Sequence, residues 1–145
     1  MSIKVLALDL ERTLIDDAFS ARRRPGLRRF LAFCDSRFER VAIFSTVEES
    51  EARQVIEDLR RRGDVPARLS TRLEYVNWSG ERKDLEFIPG VSVKETALVD
   101  DDAGWIRPDQ REQWIAIAPW DGDDEADEEL LRIESVLESR ITSKT

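Results

Sequence analysis

The chain has 145 residues, of which 41% are hydrophobic and 37% are charged, and its formal net charge is −8. This length suits a single domain, and the hydrophobic share is too high for a disordered chain. Because no apolar run approaches the roughly 18 residues that a membrane span requires, we do not expect an integral membrane protein.

The residue types that are missing narrow the possible chemistry. Histidine is absent and Cys34 is the single cysteine, which excludes Ser-His-Asp catalysis, histidine-ligated zinc and an internal disulfide. Catalysis would therefore depend on carboxylates, hydroxyls, lysine, arginine or a hard metal ion. The apolar run at the start of the chain is interrupted by an acid at Asp9, and no small-residue cleavage site follows it. We therefore expect a buried strand rather than a signal peptide, and a cytoplasmic protein.

The charges are unevenly distributed along the chain. Residues 20–40 hold seven arginines against two acids, whereas residues 121–145 hold nine acids against three basic residues. Two interpretations stay open: two solvated helix faces, or an anion-attracting rim and an acidic tail. The net negative charge leads us to expect no bulk nucleic-acid binding.

In chain order, short apolar runs alternate with segments of helical periodicity. The apolar runs are typical of buried parallel strands, and they cover residues 3–8, 41–44, 96–99 and 114–117. Helical spacing predicts helices at 27–34, at 48–62 after an N-cap at Thr46, and at 124–137. Residues 67–79 hold short strand-like pieces whose pairing stays open.

This order of elements predicts one α/β domain, with a Rossmann-like, mostly parallel sheet and helices on both faces. We assign the domain to residues 1–138 and expect residues 139–145 to form a frayed tail. The segments 15–24 and 64–82 are too short for a separate cap domain, so a site at the sheet edge would be open. The oligomeric state stays open.

Polar residues follow three of the predicted strands. In open α/β sheets, ligands bind beyond the carboxyl ends of the strands. Crowded carboxylates repel one another unless a cation neutralises them, and hard oxygen ligands suit Mg²⁺. If the strands are parallel, the residues that converge on one edge are Asp9, Glu11, Ser45, Thr46, Asp100, Asp101 and Asp102.

Four short motifs occur in order on these strand ends. They are DLERTL at 9–14, Ser45, Lys83, and the pair Asp100 and Asp101. Together they resemble the four motifs of the haloacid dehalogenase superfamily. Three further stretches resemble its branch of RNA polymerase II C-terminal-domain phosphatases, the NLI-interacting-factor type. These stretches are RPG at 24–26, KDL at 83–85 and IAIAPWDGD at 115–123.

The resemblance implies a Mg²⁺-dependent phosphomonoesterase that acts on a phosphorylated protein or small molecule through an aspartyl-phosphate. Asp9 would attack the phosphorus, and Glu11 would protonate the leaving oxygen and then activate water. Ser45 and Lys83 would hold the phosphoryl oxygens. The metal ligands that the resemblance implies are Asp9, the Glu11 backbone carbonyl, Asp100 and Asp101.

One position departs from the family pattern. The family usually has aspartate two residues after the nucleophile, where this chain has Glu11. The extra methylene moves the carboxyl by about an ångström, which can cost on the order of a hundredfold in rate. Asp16 and Asp17 lie close behind as alternative acids. Three hypotheses stay open: a phosphatase with an open site suited to a bulky substrate, a binding or regulatory module without turnover, and a phosphate-sensing protein that stops at the aspartyl-phosphate.

Overall fold

The computed structural model describes residues 2–142 and shows an α/β fold. Within that range the strands are β1 (Val5–Leu8), β2 (Arg40–Ile43), β3 (Glu74–Tyr75), β4 (Thr96–Asp100) and β5 (Trp114–Ala116). The α-helices are α1 (Leu27–Arg37), α2 (Glu49–Arg61), α3 (Ala67–Arg72) and α4 (Glu129–Thr142). None of the helices in this range has the length and apolar character needed to cross a membrane.

The strands form one parallel sheet in the order β3-β2-β1-β4-β5. The chain builds outward from β1 to β3 and then returns to place β4 on the other side of β1. In the register of the sheet, Leu8 lies beside Ile43 of β2 and Val99 of β4. The carboxyl ends of β1 and β4 are therefore neighbours at the point where the strand order reverses. The predicted parallel α/β sheet is confirmed.

The sheet separates two hydrophobic cores. All four α-helices pack into the larger core, through Leu27, Val55, Leu69 and Ile133 among others. The second core, on the other face, includes Leu85 and Ile106 and is covered by loops and short 3₁₀ turns. Helices were predicted on both faces, but 3₁₀ turns take their place here. Pro89 and Gly90 interrupt the crossover from β3 to β4, and neither residue suits a helix interior.

The starts of two helices differ from the sequence prediction. The N-cap position of α2 is Glu48 rather than Thr46, and no side chain caps the helix. α4 begins at Glu129 rather than at residue 124. The Asp124 carboxylate accepts a hydrogen bond from the Ala126 amide at 3.0 Å and holds a turn before the helix.

The end of α4 also differs from the prediction, because the helix continues to Thr142. Residues 139–142 are therefore helical rather than frayed. Arg140 donates a hydrogen bond to the Glu112 carbonyl at 2.9 Å, and Ile141 packs against the larger core. Residues 143–145 of the predicted tail lie outside the described residues, and the domain boundary at 138 stays a prediction.

Candidate active site

Three carboxylates meet at the carboxyl edge of the sheet. Asp9 directly follows β1, and Asp100 is the last residue of β4. The backbone N–H of Asp9 donates to the Val99 carbonyl at 2.9 Å, which continues the pairing of the two strands. One carboxylate oxygen from each of Asp9, Asp100 and Asp101 lies within 4.8 Å of the other two. The structure thus brings together the acids of the first and fourth motifs.

Lys83 lies inside this acidic cluster, and its side chain is 1% exposed. Its Nζ donates to Asp9 Oδ1 at 2.8 Å and to Asp100 Oδ2 at 2.6 Å. The backbone N–H of Lys83 donates to the Trp105 carbonyl at 2.7 Å, which holds its loop against the end of the sheet. A buried ammonium group requires partners of opposite charge. The cluster thus holds three carboxylates and one lysine, which contacts two of them directly.

The charges in the cluster shift the pKa values of its members. Burial raises the pKa of Asp101 to about 7, and a hydrogen bond to Asp9 and the charges of Asp9 and Asp100 add to the rise. Burial and the charge of Asp9 also raise the pKa of Asp100, although Lys83 opposes them. Burial lowers the pKa of Lys83, but the charges of the two aspartates outweigh burial, and the net shift is upward. The lysine therefore stays charged, and negative charge remains in excess.

Thr13 also belongs to the cluster, although it was not among the site residues predicted from the sequence. Its side chain is fully buried. Its hydroxyl donates to Asp9 Oδ2 at 2.8 Å and lies 3.4 Å from Asp101 Oδ1. A tight turn brings it back to Asp9, since the Thr13 N–H bonds to the Leu10 carbonyl and Arg12 has a φ of 62°. The threonine in DLERTL was the signal for this contact.

Glu11 and Ser45 lie at the same edge of the sheet. Glu11 Oε2 accepts a hydrogen bond from the Ala18 N–H at 2.7 Å. The Ser45 hydroxyl, just beyond β2, accepts one from the Val47 N–H at 3.0 Å. Within residues 2–142, no hydrogen bond joins either side chain to the three carboxylates. The roles assigned to Glu11 and Ser45 stay predictions.

Arg24 anchors the loop that follows Asp9, and its side chain is fully buried. Nη1 donates to the carbonyls of Arg12 and Thr13 at 3.1 and 3.2 Å. Nη2 donates to the Ala118 carbonyl at 2.6 Å. Nε and Nη2 also bind the two carboxylate oxygens of Asp127 at 2.7 and 2.9 Å. This bidentate pair ties the loop to the end of β5 and to the start of α4.

The donor set of the cluster fits a divalent metal ion. Asp9, Asp100 and Asp101 offer hard oxygen ligands, which Mg²⁺ prefers. The single ammonium of Lys83 cannot balance three ionised carboxylates, and burial together with the neighbouring acids Asp9 and Asp100 raises the pKa of Asp101 to about 7. A divalent cation would supply the missing charge.

An open parallel sheet with three aspartates and a buried lysine at its switch point defines a Rossmann-like α/β protein with a site for phosphate chemistry. The family model of NLI interacting factor-like phosphatases matches residues 4–145. The chain therefore belongs to this family, a branch of the haloacid dehalogenase superfamily, and the resemblance seen in its motifs is confirmed. Membership supports phosphatase activity on a phosphorylated substrate. A comparison with curated proteins gives no match.

Proposed function

We propose that the protein is a Mg²⁺-dependent phosphomonoesterase that forms an aspartyl-phosphate on Asp9. The observation that carries this proposal is the joint contact of Asp9 with Lys83 and Thr13, beside Asp100 and Asp101. These contacts hold the Asp9 carboxylate in one orientation, and Lys83 provides a positive charge where a phosphoryl group would bind.

In the first half-reaction, a carboxylate oxygen of Asp9 forms a bond to phosphorus while the bond from phosphorus to the ester oxygen breaks. Glu11 gives its proton to the departing oxygen, so the product leaves as an alcohol. Lys83 and the Ser45 hydroxyl donate hydrogen bonds to the phosphoryl oxygens.

In the second half-reaction, the ionised Glu11 takes a proton from a water molecule whose oxygen attacks the phosphorus. The bond between phosphorus and the Asp9 oxygen breaks, and inorganic phosphate leaves. Asp9 is again a carboxylate and Glu11 again carries its proton. Thr13 holds Asp9 in place through both halves.

Asp9, Asp101 and the Glu11 backbone carbonyl would hold Mg²⁺, which when bound neutralises negative charge on the phosphoryl oxygens. Asp100 also positions Lys83 in this proposal, because its Oδ2 accepts from Lys83 at 2.6 Å and its Oδ1 accepts from the Asp102 N–H at 2.9 Å. A carboxylate oxygen that accepts one hydrogen bond keeps a second lone pair, so Asp100 would still be able to support the metal beside Asp9 and Asp101.

The substrate in this proposal is a phosphorylated protein. Phe19 is 99% exposed, on the loop whose Ala18 amide binds Glu11. A large apolar side chain is thus presented to solvent beside the acid–base residue. Exposed aromatic side chains are enriched where proteins contact one another. A phosphoprotein would bury Phe19, whereas a small phosphate ester would not reach it.

Hydrolysis of a chromogenic aryl phosphate, with and without Mg²⁺, tests the proposed chemistry. Asp9→Asn should lower the rate on the order of a thousandfold or more, because the amide is not a nucleophile. Asp58→Asn on α2 is the matched control and should keep the wild-type rate. An unchanged rate in Asp9→Asn would contradict the assignment of Asp9 as the nucleophile. Full turnover in the presence of a chelator would contradict the dependence on Mg²⁺.

A second candidate is a binding or regulatory module that keeps the fold without turnover. One observation favours it: the Ala18 N–H occupies an oxygen of Glu11, the acid that turnover needs. Variants of Glu11 separate the two candidates, because only the enzyme needs the proton of this side chain.

A further inference from the structure

A groove adjoins the acidic cluster on the β2–β3 side of the sheet. Its cavity volume is about 270 Å³. Residues 45–49 form one wall, before and at the start of α2, and residues 77–80 after β3 form the other. Trp78 Nε1 donates to the Ser45 carbonyl at 2.9 Å and joins the two walls. We call this cavity the Ser45 groove.

Both walls of the Ser45 groove lead into the cluster. Ser45 lies just beyond β2, which pairs with β1, the strand that Asp9 directly follows. Neighbouring strands lie roughly 4.8 Å apart. On the other wall, Gly80 precedes Lys83 by three residues. A peptide with its phosphate at Asp9 would therefore pass along this groove.

The lining of the Ser45 groove combines apolar side chains with hydroxyl, amide and acidic ones. Its apolar and aromatic lining includes Ile43, Ala52, Tyr75 and Val76. Glu48 and Glu49 also line it, and among its described lining residues none is basic. Glu49 is paired with Arg53, whereas within residues 2–142 the Glu48 carboxylate has a hydroxyl partner, Ser50 at 3.2 Å, and no cation. The groove therefore has room for an alkyl chain, and it contains one carboxylate, that of Glu48, without a cationic partner among residues 2–142.

An arginine of the chain itself illustrates how this surface binds a cation. Arg53 Nε donates to Glu49 at 2.8 Å, and its guanidinium carbon lies 4.2 Å from the centroid of the Tyr75 ring. Arg53 lines a different hollow, between α2 and α3, and leaves the Ser45 groove open. Arg53 thus shows that an acid and an aromatic ring at this edge can hold a cationic side chain, and the acid of the groove that Arg53 does not pair with is Glu48.

We propose that the Ser45 groove binds a lysine or arginine side chain of the substrate, close in sequence to the phosphorylated residue. This specificity rests on the proposed phosphoprotein phosphatase function. The apolar and aromatic part of the lining contacts the alkyl stem, and the Glu48 carboxylate pairs with the charged head. A substrate with acidic residues at the same position is disfavoured by like-charge repulsion.

The test measures peptide affinity separately from turnover. Seven-residue phosphoserine peptides carry lysine or glutamate at each position within three residues of the phosphoserine, with alanine elsewhere. Their binding to Asp9→Asn is measured by calorimetry, so the result does not depend on hydrolysis. The aryl phosphate assay on the wild type reports the proposed phosphatase chemistry by itself.

At one position, the lysine peptide should bind roughly tenfold more tightly than the glutamate peptide. Adding Glu48→Gln should reduce this ratio roughly twofold to fivefold, because one exposed charge pair is lost. Glu51→Gln, an equal change of charge at an exposed residue of α2 outside the groove, should leave the ratio unchanged. Each ratio is taken within one protein, so a general loss of affinity cancels.

Three results would overturn the proposal. They are equal affinity of lysine and glutamate peptides at every position, a ratio that Glu48→Gln does not alter, and the absence of binding by any peptide. If the wild type turns over the aryl phosphate and any of these results is obtained, the proposed phosphatase chemistry is retained. Only the proposed binding of a basic substrate side chain in the Ser45 groove is then rejected.

Discussion

The Glu11 carboxylate already has one partner, the Ala18 amide, at 2.7 Å. If Glu11 is the acid–base residue, Glu11→Gln keeps the shape of the side chain and removes its proton. Turnover of an aryl phosphate should then fall by roughly a hundredfold or more. Steady-state kinetics, with acid trapping of the phosphoenzyme, measures both half-reactions.

Other outcomes for Glu11 have distinct meanings. Equal turnover in wild type and Glu11→Gln would assign the proton to Asp16, Asp17 or solvent. If both proteins are inert while Glu11→Asp gains turnover, the module without turnover is the better description. In that case the shorter acid restores the reach that is usual in the family.

Asp101 makes the metal-free protein sensitive to pH. Its pKa in the folded protein is raised to about 7 from an ordinary value of 3.8. Between these values the folded state binds more protons than the unfolded state, so stability is lost as the pH rises through about 7. Asp101→Asn removes this loss. In chelator at pH 8 the variant should be more stable than the wild type by on the order of 1 kcal/mol, with little difference at pH 4.

Urea denaturation at the two pH values measures this effect. Added Mg²⁺ should reverse the order of stability at pH 8, so that the wild type becomes more stable than Asp101→Asn. The ion stabilises the folded wild type by binding to it, and the variant has lost a carboxylate ligand. Asp102→Asn is the matched control, because Asn can still accept the Gly104 N–H hydrogen bond that Asp102 accepts. If Asp101→Asn has the same dependence of stability on pH as the wild type, the ionised Asp101 carboxylate is not destabilised by burial and neighbouring acids.

At the scale of elements, the strands were easier to predict than the helix ends. Runs such as VLAL and TALV are continuously apolar, and burial on both faces of a parallel sheet requires that pattern. The acids that follow them were therefore placed correctly at one edge. The start of α4 depends instead on hydrogen bonds from side chain to backbone around Asp124, which periodicity does not report.

The contacts of Thr13 and Arg24 show a second reason for what sequence reasoning missed. Thr13 lies four residues from Asp9, and only the turn geometry makes them partners. Arg24 pairs with Asp127, 103 residues away. No local pattern connects two residues that far apart, so the Arg24–Asp127 pair emerges only from the folded chain.

The Arg24–Asp127 pair should couple α4 to the loop that follows Asp9. Breaking a buried pair leaves a charge without a partner, so Arg24→Met or Asp127→Asn should each destabilise the protein by about 3–5 kcal/mol. Arg29→Lys, in the exposed pair with Glu134, should cost less than about 1 kcal/mol. Urea denaturation gives these values.

A double variant, Arg24→Met with Asp127→Leu, separates stability from positioning. Apolar side chains at both positions avoid the cost of a buried unpaired charge, so the double variant should be more stable than either single variant. The carbonyls of Arg12 and Thr13 nevertheless lose their donor, so kcat should fall at least tenfold with a smaller change in KM. Wild-type kcat in a stable double variant would mean that the pair serves stability alone.

At the scale of the whole molecule, the two cores share the same strands. Successive residues of β1 point to opposite faces, with Leu6 and Leu8 in the larger core and Val5 and Ala7 in the second. If one core unfolds, the strands that it shares with the other core lose their packing, so the other core loses one of its sides as well. We therefore expect the domain to unfold in one cooperative transition.

Truncation in either core should then lower the stability of the entire domain. Leu98→Ala in the second core and Ile133→Ala in the larger core should each cost about 2–5 kcal/mol, since both side chains are buried. Leu131→Ala, at an exposed position of α4, should cost less than about 1 kcal/mol. Tryptophan fluorescence reports the second core through Trp78 and Trp114, and circular dichroism reports the helices of the larger core. The two signals should give one midpoint in every variant, whereas a Leu98→Ala variant that loses fluorescence before helicity would show that the faces unfold separately.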